Sequence, residues 1–286
     1  MRQLDKRALR GWPLPQANSS SDKEARGQVL VVAGSREIPG AALLAATAAL
    51  RAGAGKLTVA TAQSVAPGLA LLMPEARVIG LPETAAGGFL ASSVEQLAQC
   101  AAQTSAVLIG PGLLDSEASC QFVEILLTRL SHVPVILDAL AMDVALQAPP
   151  FAQPILLTPH AGEMAHLSGQ PKDDVVADAP DLAQDMAKKH NAVIVLKGAT
   201  TFIASPEGMA WEHVSGTAGL GTSGSGDVLA GIMAGLAARG APLEQAAAWG
   251  VVLHALAGKR LAERHGRLGF LAREIPGEIP WVMHGL

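Results

Sequence analysis

The chain has 286 residues, with 21 Lys and Arg against 25 Asp and Glu, a formal net charge of −4. A protein that tracks a phosphate backbone needs a basic surplus and aromatics for stacking; aromatics here are 3% and Tyr is absent, so a nucleic-acid binder is excluded. Half the residues are hydrophobic and 16% are charged, which supplies a large core and little material for a disordered tail.

Residues 1–28 are polar and turn-rich (WPLPQANSSSDKEARG) and read as an N-terminal arm. Charges run through MRQLDKRALRGWP where an export signal needs an apolar stretch, so a cytoplasmic protein is expected. The longest uncharged windows, such as 57–74, are interrupted by Thr, Gln, Ser and Pro, and no membrane span is expected. Cys100 and Cys120 are too few for a zinc knuckle or a disulfide framework and are expected as small core residues.

From Val29 onward, short β-branched runs alternate with longer Ala/Leu-rich segments. The runs lie at 29–33, 57–61, 76–80, 106–110, 134–138, 154–158 and 192–196. They are apolar almost throughout, as strands covered on both faces of a parallel sheet must be. Helix-length segments at 40–52, 92–103, 116–130 and 181–190 separate them. Residues 200–213 read as a hairpin around Pro206-Glu207-Gly208. The last third is helical, at 227–238, 243–265 and near 275–283. The beat predicts an α/β fold with a mostly parallel central sheet flanked by helices, and nothing interrupts it to mark a second domain, so 29–286 is expected to be a single one.

The most informative stretch is GLGTSGSGDVLAGIMAGL, residues 219–236, where a glycine-rich loop feeds an apolar helix. Glycine lets the backbone approach a ligand closely, so successive N–H groups over 223–227, with the positive end of the helix, form an anion hole suited to phosphate. Gly219, Gly221 and Gly224 satisfy G-x-G-x-x-G, but the run lies late in the chain with no parallel strand after it, against a dinucleotide fingerprint. Gly53-Ala54-Gly55-Lys56 is followed by Leu57, where a Walker loop needs Ser or Thr. Asp227 at the start of the helix repels a phosphate. It is useful there as a general base that takes the proton of an attacking hydroxyl.

Lys197-Gly198-Ala199-Thr200-Thr201 follows one strand and Thr158-Pro159-His160-Ala161-Gly162-Glu163 another, at the sheet edge where open α/β folds bind ligands. Gly110-Pro111-Gly112 and Gly34-Ser35, leading to Ile38-Pro39-Gly40-Ala41, end two more. His160, Glu163 and His166 lack the spacing of a zinc motif, so no metal ligands are expected. His132, His190 and His254 read as structural or surface residues.

Together GSREIPGAALLAATAALRAGAGKL (34–57), IGPGL (109–113), PVILDA (134–139), LTPHAGEM (157–164), VLKGATT (195–201) and GTSGSGDVLAGIMAGL (221–236) resemble the ADP/ATP-dependent NAD(P)H-hydrate dehydratases, of the ribokinase-like superfamily. The resemblance runs in order from about residue 29 to 270. It implies a ribokinase-like three-layer sandwich and a repair reaction. ADP or ATP, with Mg²⁺ carried on the nucleotide, phosphorylates the C6 hydroxyl of (6S)-hydrated NADH or NADPH, and loss of phosphate restores the ring double bond.

By motif, the resemblance implies that Asp227 is the base and also touches substrate, and that Gly224, Ser225 and Gly226 offer N–H groups to phosphate. It further implies that Lys197, Gly198, Ala199, Thr200, Thr201 and Gly226 contact the nucleotide, while Ala41, Gly112 and His160 line the hydrate pocket. A homo-oligomer, up to a tetramer, and a separate hydrate epimerase as working partner are further implications. The sequence departs from many relatives at Asp22–Gly27, in place of a basic segment, at Leu140, in place of an acidic residue, and at Thr217-Ala218, in place of Asn-Pro. A kinase of a small alcohol and a non-catalytic nucleotide-binding module are the alternative readings.

Overall fold

In the computed structural model, which describes residues 1–16, 24, 26–147, 150–214 and 217–286, the apolar runs pair into one ten-stranded sheet. Its strands are β1 (Arg2–Gln3), β2 (Gln28–Val32), β3 (Lys56–Ala62), β4 (Ala76–Leu81), β5 (Ala106–Ile109), β6 (Val135–Leu137), β7 (Ile155–Leu157), β8 (Val193–Leu196), β9 (Thr200–Ala204) and β10 (Ala210–Val214). The order is β1-β10-β9-β8-β7-β6-β5-β2-β3-β4. All neighbours are parallel except β8/β9 and β9/β10, and the expected hairpin forms with Ala204 opposite Ala210.

The sheet is buried on both faces because each central strand sends alternate side chains to different cores. Val29, Val31, Leu108, Ile136, Leu156 and Val195 enter one core, and Leu30, Val32, Ile109, Leu137, Leu157 and Ile194 the other. Each such fully buried aliphatic contributes about 1.5–3 kcal/mol. The first core is closed by α1 (Lys6–Arg10), α2 (Pro39–Arg51), α3 (Ala66–Leu72), α9 (Ser225–Ala238), α10 (Leu243–His265) and α11 (Ile275–His284). The second is closed by α4 (Val94–Ala101), α5 (Ser116–Thr128), α6 (Ala161–Ser168), α7 (Lys172–Ala177) and α8 (Ala179–His190). Three layers result, as the composition demands.

Helix α9 is apolar nearly all round because it lies against α2 on one side and α10 on another. Its contact with α2 is backbone to backbone: a Cβ on Gly231 would fall 2.1 Å from the Ala45 carbonyl oxygen. Small residues at that seam place the α9 N-terminus at the C-terminal edge of the strands.

Several elements differ from the sequence reading. The N-terminal arm supplies β1, which pairs with β10 through Arg2 and Trp211, and Trp12 stacks on Trp211. Helix α9 begins at Ser225, two residues before Asp227, since Gly224 takes the left-handed conformation (φ 86°) as its N-cap. Helices α3, α6 and α7 and a 3-10 segment, Ala139–Leu146, fill stretches between the expected elements. Residues 22, 23 and 25 of the departing segment lie outside the described residues. Among the described residues no helix is long and apolar enough to cross a membrane.

Candidate active site

Strands β8, β7, β6, β5 and β2 are neighbours in the sheet. At ~4.8 Å per strand their C-terminal ends span roughly 19 Å. Along that edge stand Lys197 after β8, His160 after β7, Asp138 after β6, Gly112 after β5 and Gly34 after β2. The first turn of α9 arrives beside this row, so residues distant in sequence share one edge.

Asp227 is the third residue of α9. The backbone N–H groups of Gly224, Gly226 and Asp227 meet no acceptor among the described residues, as the first turn of a helix requires. Ser225 is committed: its N–H donates to the Thr222 carbonyl (3.2 Å) and its hydroxyl contacts His254 Nε2 (3.0 Å). His254, which the sequence reads as a structural or surface residue, is structural: it is the buried prop beneath the loop. Burial lowers its pKa to about 4, against a raising hydrogen bond from Ser225, and Lys197 adds to the fall. The imidazole is neutral at pH 7.

Burial first, and then Asp138, push the Asp227 carboxyl up to about 6, while Lys197 pulls it down. A base with that value is ionised at neutral pH and still basic enough to take a proton. Lys197 points inward from β8. Its Nζ stands 3.0 Å from Asp138 Oδ1 and 3.8 Å from Glu163 Oε2, and 3.4 Å from where a Cβ on Gly226 would lie. Burial pulls its pKa down, but Asp138, Glu163 and Asp227 together hold the ammonium above its ordinary value. The cation thus sits against the anion hole. Gly198 and Ala199 form the exposed turn that follows, and Thr200 and Thr201 open β9.

His160 caps α6. Its Nδ1 accepts from the N–H groups of Gly162 and Glu163, both at 3.0 Å, while Glu163 Oε2 accepts from His160 N–H at 2.7 Å. This is a capping box with His in the place usually held by Ser or Thr. With Nδ1 occupied as an acceptor, Nε2 is the ring's donor atom; it lies 3.6 Å from Glu163 Oε1 on a side chain that is 59% exposed. His166 turns away to Asp143, 3.5 Å distant.

Gly112 and Ala41, expected in one pocket, are brought into contact: a Cβ on Gly112 (φ 69°) would lie 2.7 Å from Ala41 Cβ. Only glycine permits this approach in the left-handed region. Of the departures, Leu140 lies in the 3-10 segment and packs on the second core, and Glu24 pairs with Lys56.

Among the described residues no group of three or more His, Cys, Asp or Glu could hold a metal ion. Asp138 and Glu163, the acids nearest Asp227, are both engaged by Lys197. A cavity of about 820 Å³ opens at the opposite edge of the sheet, between Gly27, Pro134, Pro154 and the C-terminal end of α9.

Comparison with known proteins follows the same lines. A family model described as NAD(P)H-hydrate dehydratase matches residues 29–280. The ADP-dependent (S)-NAD(P)H-hydrate dehydratase of Xanthomonas campestris is 50% identical over 279 residues, 98% of this chain and 95% of that protein. A ribokinase-like superfamily protein from Enterococcus faecalis superposes with a TM-score of 0.86 at 29% identity, over 99% of this chain and 95% of the other. The ADP/ATP-dependent NAD(P)H-hydrate dehydratase of Bacillus subtilis, co-crystallized with ATP/Mg²⁺, gives a TM-score of 0.82 at 33% identity, over 95% and 94% of the two chains.

Proposed function

The chain belongs to the NAD(P)H-hydrate dehydratase family, with its ribokinase-like α/β fold, and from that premise we propose how its own residues carry out nucleotide-driven repair of (6S)-hydrated NADH or NADPH. The observation that carries the reading is the first turn of α9, where a half-buried carboxylate, three uncommitted N–H groups and the Lys197 ammonium converge.

Asp227 takes the proton of the C6 hydroxyl as its oxygen attacks the terminal phosphorus of ADP or ATP. The N–H groups of Gly224, Gly226 and Asp227 and the ammonium of Lys197 hold the charge that spreads over the transferring group. The C6–O bond then breaks with phosphate as leaving group and the C5 proton passes to water, forming the C5=C6 double bond. Hydroxide would leave poorly, and phosphate leaves well. His160 donates its Nε2 hydrogen to the substrate, and the Gly112–Ala41 contact shapes the floor on which the ring rests. Magnesium, brought by the nucleotide, would be held by phosphates and water, which suits an ion that keeps several of its waters. Lys197 through Thr201 line the nucleotide side.

The reading is tested by product analysis with hydrated NADH, Mg²⁺ and either ADP or ATP. The dehydratase yields NADH absorbance, free phosphate and the nucleotide shortened by one phosphate in equal amounts. A stable phosphate ester with no return of absorbance would instead identify a kinase.

A further inference from the structure

Asp138 has no part in the roles above, yet it is a carboxylate only 2% exposed at the end of an apolar strand. Such a group is costly unless it is paired and hydrogen-bonded. Its backbone is fixed: its N–H donates to the Ile109 carbonyl (3.0 Å) and its own carbonyl accepts from Ala141 (3.2 Å). Its Oδ1 accepts from Thr158 Oγ1 at 2.5 Å and from Lys197 Nζ at 3.0 Å. Thr158 is a rigid partner on β7's exit, whereas Lys197 is a long side chain that must be aimed.

Lys197 has more than one anion within reach of its field. It makes ion pairs with Asp138 and Glu163, and it also feels Asp227. A lysine drawn fully onto Asp227 would tie up the base and leave the anion hole. Buried out of reach of a ligand, Asp138 can influence the reaction through that choice and through its own charge, which raises the Asp227 carboxyl.

We propose that Asp138 is a positioning residue: it anchors the Lys197 ammonium at the first turn of α9, aimed at the transferring phosphoryl group and away from the base Asp227. The inference deepens the dehydratase reading and rests on it for the group transferred. The charged groups that face Asp227 are Asp138 from the end of β6, Lys197 from the end of β8 and Glu163 from α6, while His254 of α10 lies neutral behind Ser225.

The test is Asp138→Asn, which keeps size and shape and removes the charge. Carboxyl ¹³C NMR of the protein without hydrate follows the titration of Asp227, assigned by its loss in Asp227→Asn. The expected result is a midpoint below the wild-type value, because a like charge is gone and Lys197 swings toward Asp227. In turnover, kcat should fall by up to about a hundredfold with its acid limb moved to lower pH and KM for the hydrate unchanged, and Asp138→Glu should restore part of the loss. An unmoved Asp227 midpoint with an unmoved acid limb would overturn the proposal and leave Asp138 a structural residue. If Asp138→Asn does not fold, the double variant Asp138→Asn/Lys197→Met, which has neither charge, replaces it. It should be no slower than Lys197→Met alone, and a further drop would show that Asp138 acts without Lys197, against the proposal. The NMR arm contains no hydrate, and Asp138→Asn should lower the Asp227 midpoint more when Lys197 is present than in the Lys197→Met background; equal shifts in the two would be the direct charge effect alone and would overturn the proposal even if the dehydratase reading fails.

Discussion

Asp227 combines two costs that a sequence cannot display, burial and the neighbouring charge of Asp138, which together raise its carboxyl to about 6. Activity should therefore rise with pH through about 6 and level off above it, because the base acts as carboxylate. Lys197→Met removes a charge that lowers that value, so the acid limb of kcat should move to higher pH, read from a pH–rate profile. The same shift bears on stability. Between 3.8 and about 6 the folded chain binds the proton more tightly than the unfolded one, so stability declines as pH rises through that window. At pH 7.5 Asp227→Asn should thus raise Tm by at least about 2 °C; an unchanged or lower Tm would contradict the burial cost. His254 has the opposite sign. Unfolded it takes a proton near 6.5 and folded only near 4, so stability falls as pH drops across that interval, and His254→Gln should flatten that part of the curve. The residue types at 197 and 224–227 could be read as chemistry from their placement, and His160 was reached through the family resemblance. Asp138 and His254 could not, since their importance lies in contacts 59 and 29 residues away along the chain.

At the scale of elements, the strands were legible because burial on both faces forces runs that are apolar at every position. Helix α6 was hidden because its N-cap is His160, outside the residue types that usually signal a start. The Glu three residues later was visible, and H-x-x-E ahead of an apolar run is the signal that could have found it. Glu163→Ala should cost about 1 kcal/mol by loss of the capping box, while Glu163→Gln, which keeps an acceptor, should cost less; urea denaturation distinguishes them. Strand β1 was hidden for another reason: two residues carry no period, and only pairing with β10 defines them. The α2–α9 seam makes a sharper claim. Gly231→Ala would set a methyl 2.1 Å from the Ala45 carbonyl, which backbone must move to admit. A loss of at least about 2 kcal/mol is expected, and a wild-type urea midpoint would show that the helices are not so tightly joined.

For the molecule as a whole, the sheet divides labour between its two edges. The C-terminal ends of five neighbouring strands collect Lys197, His160, Asp138, Gly112 and Gly34, and α9 delivers Asp227 to the same edge. The α/β alternation made that edge foreseeable from sequence, whereas the side-chain pairs that arm it depend on strand order, which no local pattern encodes. The central claim is that Asp227 is the base beside an anion hole that the backbone builds without it. The most direct test compares Asp227→Asn with wild type in one preparation, measuring ADP affinity by calorimetry and return of reduced-nicotinamide absorbance from hydrated NADH. The variant should bind ADP at least as tightly, having lost a repelling charge, and turn over about 10²–10⁴-fold more slowly. Turnover near the wild-type rate, with ADP still bound, would contradict it.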